Sequence, residues 1–185
     1  MIKRLFFSIL LGFFFSLSAY ANSDAQSLDT GELKLCNSSE VNILFVLDVG
    51  DAELYLPDCE VLDYSEFMLA ITYNRPFTAE EFIASSDELV SRNNSRAIYQ
   101  QIKTDLDYFN SHYQAVEKGE EYRISYTFKK GLNLQKNGKI LSSSDNALLA
   151  KAYFKIWFGD RPFHKKMKKE LLKNIRIPAT DLGRK

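Results

Sequence analysis

The sequence predicts an α+β fold: an antiparallel β-sheet with helices packed on one face, an open-faced sandwich. Three observations carry this. Strand-like segments alternate apolar and polar residues. They cluster with hairpin links instead of single crossover helices. The helix-like segments come in two pairs, one after each cluster of strands.

The chain has 185 residues. It opens with Met1-Ile2-Lys3-Arg4, then an apolar run from Leu5 to Leu17 broken by Ser8, Gly12 and Ser16. Small residues at Ala19 and Ala21 suit a signal peptidase, so residues 1–21 read as a signal peptide cleaved after Ala21. The run is shorter than the ~20 residues of a spanning helix. No Cys follows Ala21 to carry a lipid anchor. A periplasmic or secreted location is the expectation. Residues 22–31 read as a flexible leader, 32–177 as the domain and 178–185 as a tail.

Removing the signal segment leaves 164 residues, enough for one domain with a substantial core. They carry 22 basic and 24 acidic side chains, a net −2 that disfavours nucleic acid as a partner. No other apolar stretch is long enough to span a bilayer. Fourteen Phe and ten Tyr in the whole chain point to an aromatic interior.

Element by element, Glu32–Leu35 reads as a short strand and Asn37-Ser38-Ser39 as a turn. Val41–Leu47 is nearly all apolar and suits a strand buried on both faces; Ala52–Leu56 continues as strand until Pro57. Phe67, Leu69, Ile71 and Tyr73 alternate with Met68, Ala70 and Thr72 as another strand. Thr78 and Glu81 have capping-box spacing at a helix start, and Phe82, Ile83, Ser86, Leu89 and Val90 follow at helical intervals. Ile98, Ile102, Leu106, Phe109 and Tyr113 form the stripe of a second helix, and Gly119 closes that region.

Tyr122, Ile124, Tyr126 and Phe128 alternate with polar residues as a further strand. Asn137-Gly138 joins Leu132–Lys136 to Lys139–Leu141 as a type I′ hairpin. Ser143 or Ser144 caps the next helix, whose buried stripe is Leu148, Leu149, Ala152, Tyr153, Ile156 and Trp157. Gly159 and Pro162 stop it, and a basic amphipathic helix covers about Lys165 to Asn174.

Two cysteines remain, Cys36 and Cys59. In an oxidising compartment they either pair or stay as separate thiols. One straight strand from Val41 to Leu56 would part them by on the order of 60 Å. A reversal at Val49-Gly50-Asp51 would bring them together, so the bond and a hairpin at Gly50 stand or fall together.

Chemistry-bearing groups are sparse. His112 and His164 have no partner at metal spacing, so no metal is expected. Asp48 and Asp51 are close enough to perturb each other as an acid–base pair, but a polar turn is the simpler reading. The Lys165–Lys173 helix could touch anionic lipid, yet its apolar stripe suits packing with lysines in water. The Tyr122/Tyr126 face is either core or the wall of an apolar cavity with polar tips. Asn37-Ser38-Ser39 and Asn93-Asn94-Ser95 fit the N-glycosylation pattern, which matters only on a eukaryotic secretory route.

Asp51 to Pro57, with Leu54-Tyr55-Leu56, then Asn137-Gly138-Lys139, then Ile156-Trp157-Phe158-Gly159-Asp160-Arg161-Pro162 stand in one order. That ordered set resembles chalcone isomerase-like domains, most closely their exported bacterial branch, over about residues 32–174. The resemblance implies an antiparallel sheet with helices against it and a ligand cleft between. Plant enzymes of this family close a chalcone to a flavanone without a cofactor, and other members bind fatty acids.

The resemblance places the family's cleft residues at Asn42, Gly50, Tyr99 and Ile156. Its arginine falls on Asn42, which has no charge to grip a carboxylate bidentately. Its two threonines fall on Gly50 and Ile156, which have no hydroxyl. Each lost donor is typically worth ~3 kcal/mol to a developing oxyanion. The expectation is a non-catalytic domain without cofactor that binds a small apolar ligand, such as a fatty acid, or a protein partner. A lyase or isomerase using Asp48, Asp51 or Tyr99 is the alternative, and a structural envelope protein a third.

Overall fold

A computed structural model describes residues 33–43, 47–62 and 65–178. The signal segment, the leader and residues 179–185 of the tail lie outside these. Six strands form one sheet in chain order: β1 (Lys34–Ile43), β2 (Leu47–Leu56), β3 (Glu66–Tyr73), β4 (Glu121–Thr127), β5 (Gly131–Lys136) and β6 (Lys139–Ser144). Each pairs antiparallel with the next. Helices α1 (Ala79–Asn93) and α2 (Arg96–Asn110) follow β3; α3 (Ala147–Phe158) and α4 (Lys165–Leu171) follow β6. This is the open sheet with four helices against it that the alternation of segments predicts.

The inward face of the sheet carries Ala52, Leu54, Leu56, Phe67, Leu69, Ile71, Ile124, Leu132 and Leu134. These join Val90, Ile102, Leu106, Phe154, Met167 and Leu171 from the helices in one cluster. Each large side chain sealed there contributes roughly 1.5–3 kcal/mol. The outward face is more polar, although Met68 and Ala70 are buried on it: the Tyr55 hydroxyl donates to Glu53 at 2.5 Å, and Arg123 pairs with Glu121 at 2.6 Å. Among the described residues no helix is long and apolar enough to cross a membrane.

Local signals hold where they predict local geometry. The Thr78 hydroxyl accepts from the Glu81 amide at 3.2 Å, and the Glu81 carboxylate accepts from the Thr78 amide at 2.7 Å. Asn137 and Gly138 take φ of 49° and 79°, the two positive values of a type I′ turn.

Other expectations are corrected. Asn37-Ser38-Ser39 is no turn: β1 runs through it, with a register shift between Leu35 and Asn37. The reason is distant. Asn37 donates its amide to the carbonyls of Leu171 and Lys173 at 2.9 and 3.0 Å, and the Ser39 hydroxyl donates to Glu170 at 2.6 Å. The end of α4 thus satisfies polar groups that would otherwise favour a turn. The chain does not reverse at Gly50 either. Ile43 pairs with Leu47, so the chain has already reversed before Asp48, and Asp48 and Asp51 are strand residues.

Gly50 has a different task there. It sits between Val41 and Tyr73 with φ +149°, and a Cβ would lie 2.0 Å from the Thr72 carbonyl oxygen. Cys36 and Cys59 form a disulfide with Cα atoms 5.2 Å apart, brought together by the β1–β2 pairing.

Neither Ser143 nor Ser144 caps α3. Both still belong to β6, and the cap is Asn146, whose Oδ1 accepts from the Leu148 and Leu149 amides at 3.0 and 3.1 Å. Gly159 does end α3, but in extended backbone: a Cβ would meet Lys155 O at 2.6 Å and Asn93 Oδ1 at 2.7 Å. The last helix stops at Leu171, short of the expected Asn174.

Gly50→Ala is expected to destabilise the domain by about 1–3 kcal/mol or more, because the backbone must move and the φ is costly for an L side chain. Urea unfolding checks this; an unchanged midpoint would show that β2 and β3 have room to part.

Candidate functional site

The chemistry inside the helix–sheet layer centres on one tyrosine. Tyr153, fully buried midway along α3, accepts or donates a hydrogen bond at 2.8 Å with the Tyr113 hydroxyl. It donates to Asn110 Oδ1 at 3.0 Å and lies 3.3 Å from the Ser86 hydroxyl. Two helices and a turn supply this group: Ser86 from α1, Asn110 from the last turn of α2, and Tyr113 from the turn after it.

A phenol has one proton. With that of Tyr153 on Asn110 Oδ1, Tyr113 must donate to Tyr153. The relay therefore ends on the Asn110 side chain. Asn110 is 1% exposed, and its Nδ2 has no hydrogen-bond partner among the described residues. An unpaired buried amide costs about 1–3 kcal/mol.

Aromatic rings enclose the relay. Phe82 stacks on Tyr113 at 5.2 Å and meets Tyr73 and Tyr122 edge-on at 5.3 and 5.1 Å. Phe109 and Trp157 flank Tyr153 at 5.3 and 5.9 Å. The Tyr122 hydroxyl is spoken for: it accepts from the Gln114 amide at 2.9 Å and donates to the Gln114 carbonyl at 2.7 Å.

Burial pushes the Tyr73 and Tyr153 phenols well above their usual range, with Tyr113 adding to both. Tyr113 itself is raised by burial, although its bonds to Tyr153 and Ser86 pull the other way. Burial lifts Tyr122 to about 12 against the pull of the Gln114 bond. Among the described residues no Lys, Arg or His side chain is hydrogen-bonded to Ser86, Asn110, Tyr113 or Tyr153.

The residues singled out from sequence do not converge here. The Asn42 carbonyl accepts from His164 Nε2 at 3.0 Å, while His164 Nδ1 accepts from the Met167 amide at 3.0 Å and caps α4. Ile156 is buried in α3, and its carbonyl accepts from Phe163, next to His164. Asn42 and Ile156 are thus linked through Phe163-His164, and Gly50 sits one strand over from Val41.

Tyr99 lies elsewhere, its hydroxyl donating to both Asp87 oxygens at 2.9 and 3.0 Å between α2 and α1. Burial and that bond raise its phenol. Asp48 accepts from Asn74 at 3.0 Å, and Asp51 alternates with the inward Ala52, so it faces away from the helix layer that holds Tyr99. Three of the relay's members stand in the predicted apolar stripes, as Ser86, Tyr113 and Tyr153. Asn110 carries no signal beyond following Phe109.

Comparison with known families settles the frame. A family model described as chalcone isomerase-like matches residues 17–173. The chain belongs to the chalcone isomerase-like family. Among solved structures, this chalcone isomerase-like chain is similar to a fatty-acid binding protein of Arabidopsis thaliana, with a TM-score of 0.55 at 12% identity. The match covers 78% of this chain and 88% of that one, and at such identity it shows the shared fold. A search of curated proteins found no match.

Two outcomes follow from the relay. Tyr153→Phe leaves the packing intact but strips partners from Tyr113 and Asn110, so urea unfolding should show a loss of about 1–3 kcal/mol; no loss would mean the relay is not closed in solution. The raised phenols also give a pH signature. Their folded pKa exceeds the unfolded value near 10, so their stabilising contribution is complete below about pH 10. It fades as pH climbs from there through the folded pKa. Absorbance at 295 nm should show one tyrosine set ionising near pH 10 and another ionising only with unfolding; a single set would contradict the burial of Tyr73, Tyr113 and Tyr153.

Proposed function

We propose that this chain is an exported, non-catalytic chalcone isomerase-like domain, of the bacterial branch, that holds a small apolar ligand between helices and sheet. The observation that carries the reading is the character of that layer. It is aromatic, and its polar groups are hydroxyls and an amide, with no cation bonded to them among the described residues. Such a lining solvates hydrocarbon well and a developing anion poorly.

The fatty-acid binding described for the Arabidopsis protein of the same fold supports the choice of ligand. Gly50 and Ile156, where the family's enzymes carry threonine, offer no hydroxyl, which supports a non-catalytic role. The Cys36–Cys59 disulfide supports export, because such bonds persist in oxidising compartments.

The chain purified from its native host should carry lipid detectable by mass spectrometry. After delipidation, a long-chain apolar ligand at about a hundred times its Kd should stabilise it by about 2.7 kcal/mol, a rise of roughly 5–10 °C in Tm. A 2′-hydroxychalcone should cyclise no faster with the protein than in buffer. Absence of lipid together with an unmoved Tm would remove the ligand reading, and turnover of the chalcone would restore an enzyme. Intact mass should begin at Asn22 and show the disulfide; an uncut amino terminus would overturn the export reading.

A further inference from the structure

We infer that the polar end of the ligand is an uncharged hydrogen-bond acceptor, such as an ester, amide or other neutral carbonyl, and that Asn110 Nδ2 donates to it. This rests on the apolar-ligand reading above and adds the head-group class.

The direction of the relay carries the inference. Tyr153 donates to Asn110 Oδ1 at 3.0 Å, and Tyr113 is 2.8 Å from Tyr153. Ser86 approaches the same hydroxyl at 3.3 Å. Asn110 Oδ1 already has a donor, and the side-chain atom left without any partner among the described residues is Nδ2. That amide is buried and unpaired among the described residues. A group left in this state calls for an acceptor.

Charge decides which acceptor. No Lys, Arg or His side chain is hydrogen-bonded to Ser86, Asn110, Tyr113 or Tyr153 among the described residues. The influences on Tyr73, Tyr113 and Tyr153 are burial, one another, Tyr122 and the Ser86 hydroxyl, not a nearby ion. The one charged group that bears on the neighbouring Tyr122 is Glu120, whose charge is already paired with Lys136 at 2.7 Å. A carboxylate brought here would be desolvated without a counter-ion, which costs several kcal/mol. A neutral carbonyl avoids that cost and still accepts the Asn110 hydrogen bond. Polarisation along Tyr113, Tyr153 and Asn110 strengthens the donor at the end of the chain.

Binding of methyl laurate and of laurate to the delipidated chain, measured by titration calorimetry from pH 6 to 8, tests this. Methyl laurate should bind with the same affinity throughout. Laurate should weaken about tenfold per pH unit, because only its shrinking protonated fraction is competent. Asn110→Leu should weaken methyl laurate about five- to tenfold, the worth of one neutral hydrogen bond, and weaken laurate by the same factor, because its competent form is the neutral acid. If that variant does not fold, the pH comparison on the unaltered chain still decides. Laurate binding that is independent of pH, or tighter than the ester at pH 8, would overturn the head-group assignment while sparing the apolar-ligand reading. Failure of both probes would overturn the reading beneath it, and the assignment with it.

Discussion

Helix α3 is the constraint on which the domain is built. Leu149, Ala150, Ala152, Tyr153, Phe154, Ile156, Trp157 and Phe158 are all buried, which leaves only the narrow Ala147, Lys151 and Lys155 stripe for water. A helix with so wide an apolar surface must be enclosed by other elements on most sides. It packs on α1, α2 and β5. The sheet supplies one wall, and the paired helices after β3 supply the other. The meander can remain a single open sheet because only its inward face needs a partner. Its outward face keeps Glu53, Tyr55, Glu121 and Arg123 in paired contact.

Enclosure of α3 explains why polar groups inside the layer are so constrained. Tyr153 occupies a position where a Phe would pack as well, yet its hydroxyl must be satisfied once water is excluded. Ser86, Asn110 and Tyr113 meet that demand from three separate segments. The relay also fixes how α1 and α2 approach α3, since a shift of any one would break a bond at the centre. Specific burial and a directional donor are therefore two results of one arrangement.

Sequence legibility follows the range of the interaction. The Thr78–Glu81 box and the Asn137-Gly138 turn close within a few residues, so residue type alone predicts them. Asn37 bonds carbonyls 134 and 136 positions away, and no local rule separates such an asparagine from a turn former. Gly50 looks like a turn glycine, but the tight approach of the Thr72 carbonyl is what excludes a side chain. Asn146 caps α3 in place of the serines because β6 runs further than its apolar residues suggest. The relay was half visible. Ser86, Tyr113 and Tyr153 fall on helical stripes where core residues are expected, but their convergence depends on how three helices cross. Counting along a family pattern could not supply this. It set Tyr99 beside Asn42, whereas the fold gives Tyr99 to Asp87 and Asn42 to His164.

The sheet also sorts charge. Arg123 pairs with Glu121 at 2.6 Å on the outward face, and Lys136, on the same face as Tyr122, pairs with Glu120 at 2.7 Å at the rim of the layer. The two sides of one sheet thus present different solvents. Outside, water screens charge and an ionic contact is worth little. Inside, an unpaired ion is heavily penalised and a neutral hydrogen bond gains strength from its surroundings. Tyrosine suits that interior, since its phenol stays protonated far beyond neutral pH and can donate without carrying charge. An enzyme that stabilises an oxyanion needs the reverse: donors backed by positive charge, at a place water can leave and re-enter. A layer built of phenols and one amide, enclosed by aromatic rings, offers hydrogen bonds without charge, and that property is what the proposed ligand reading rests on.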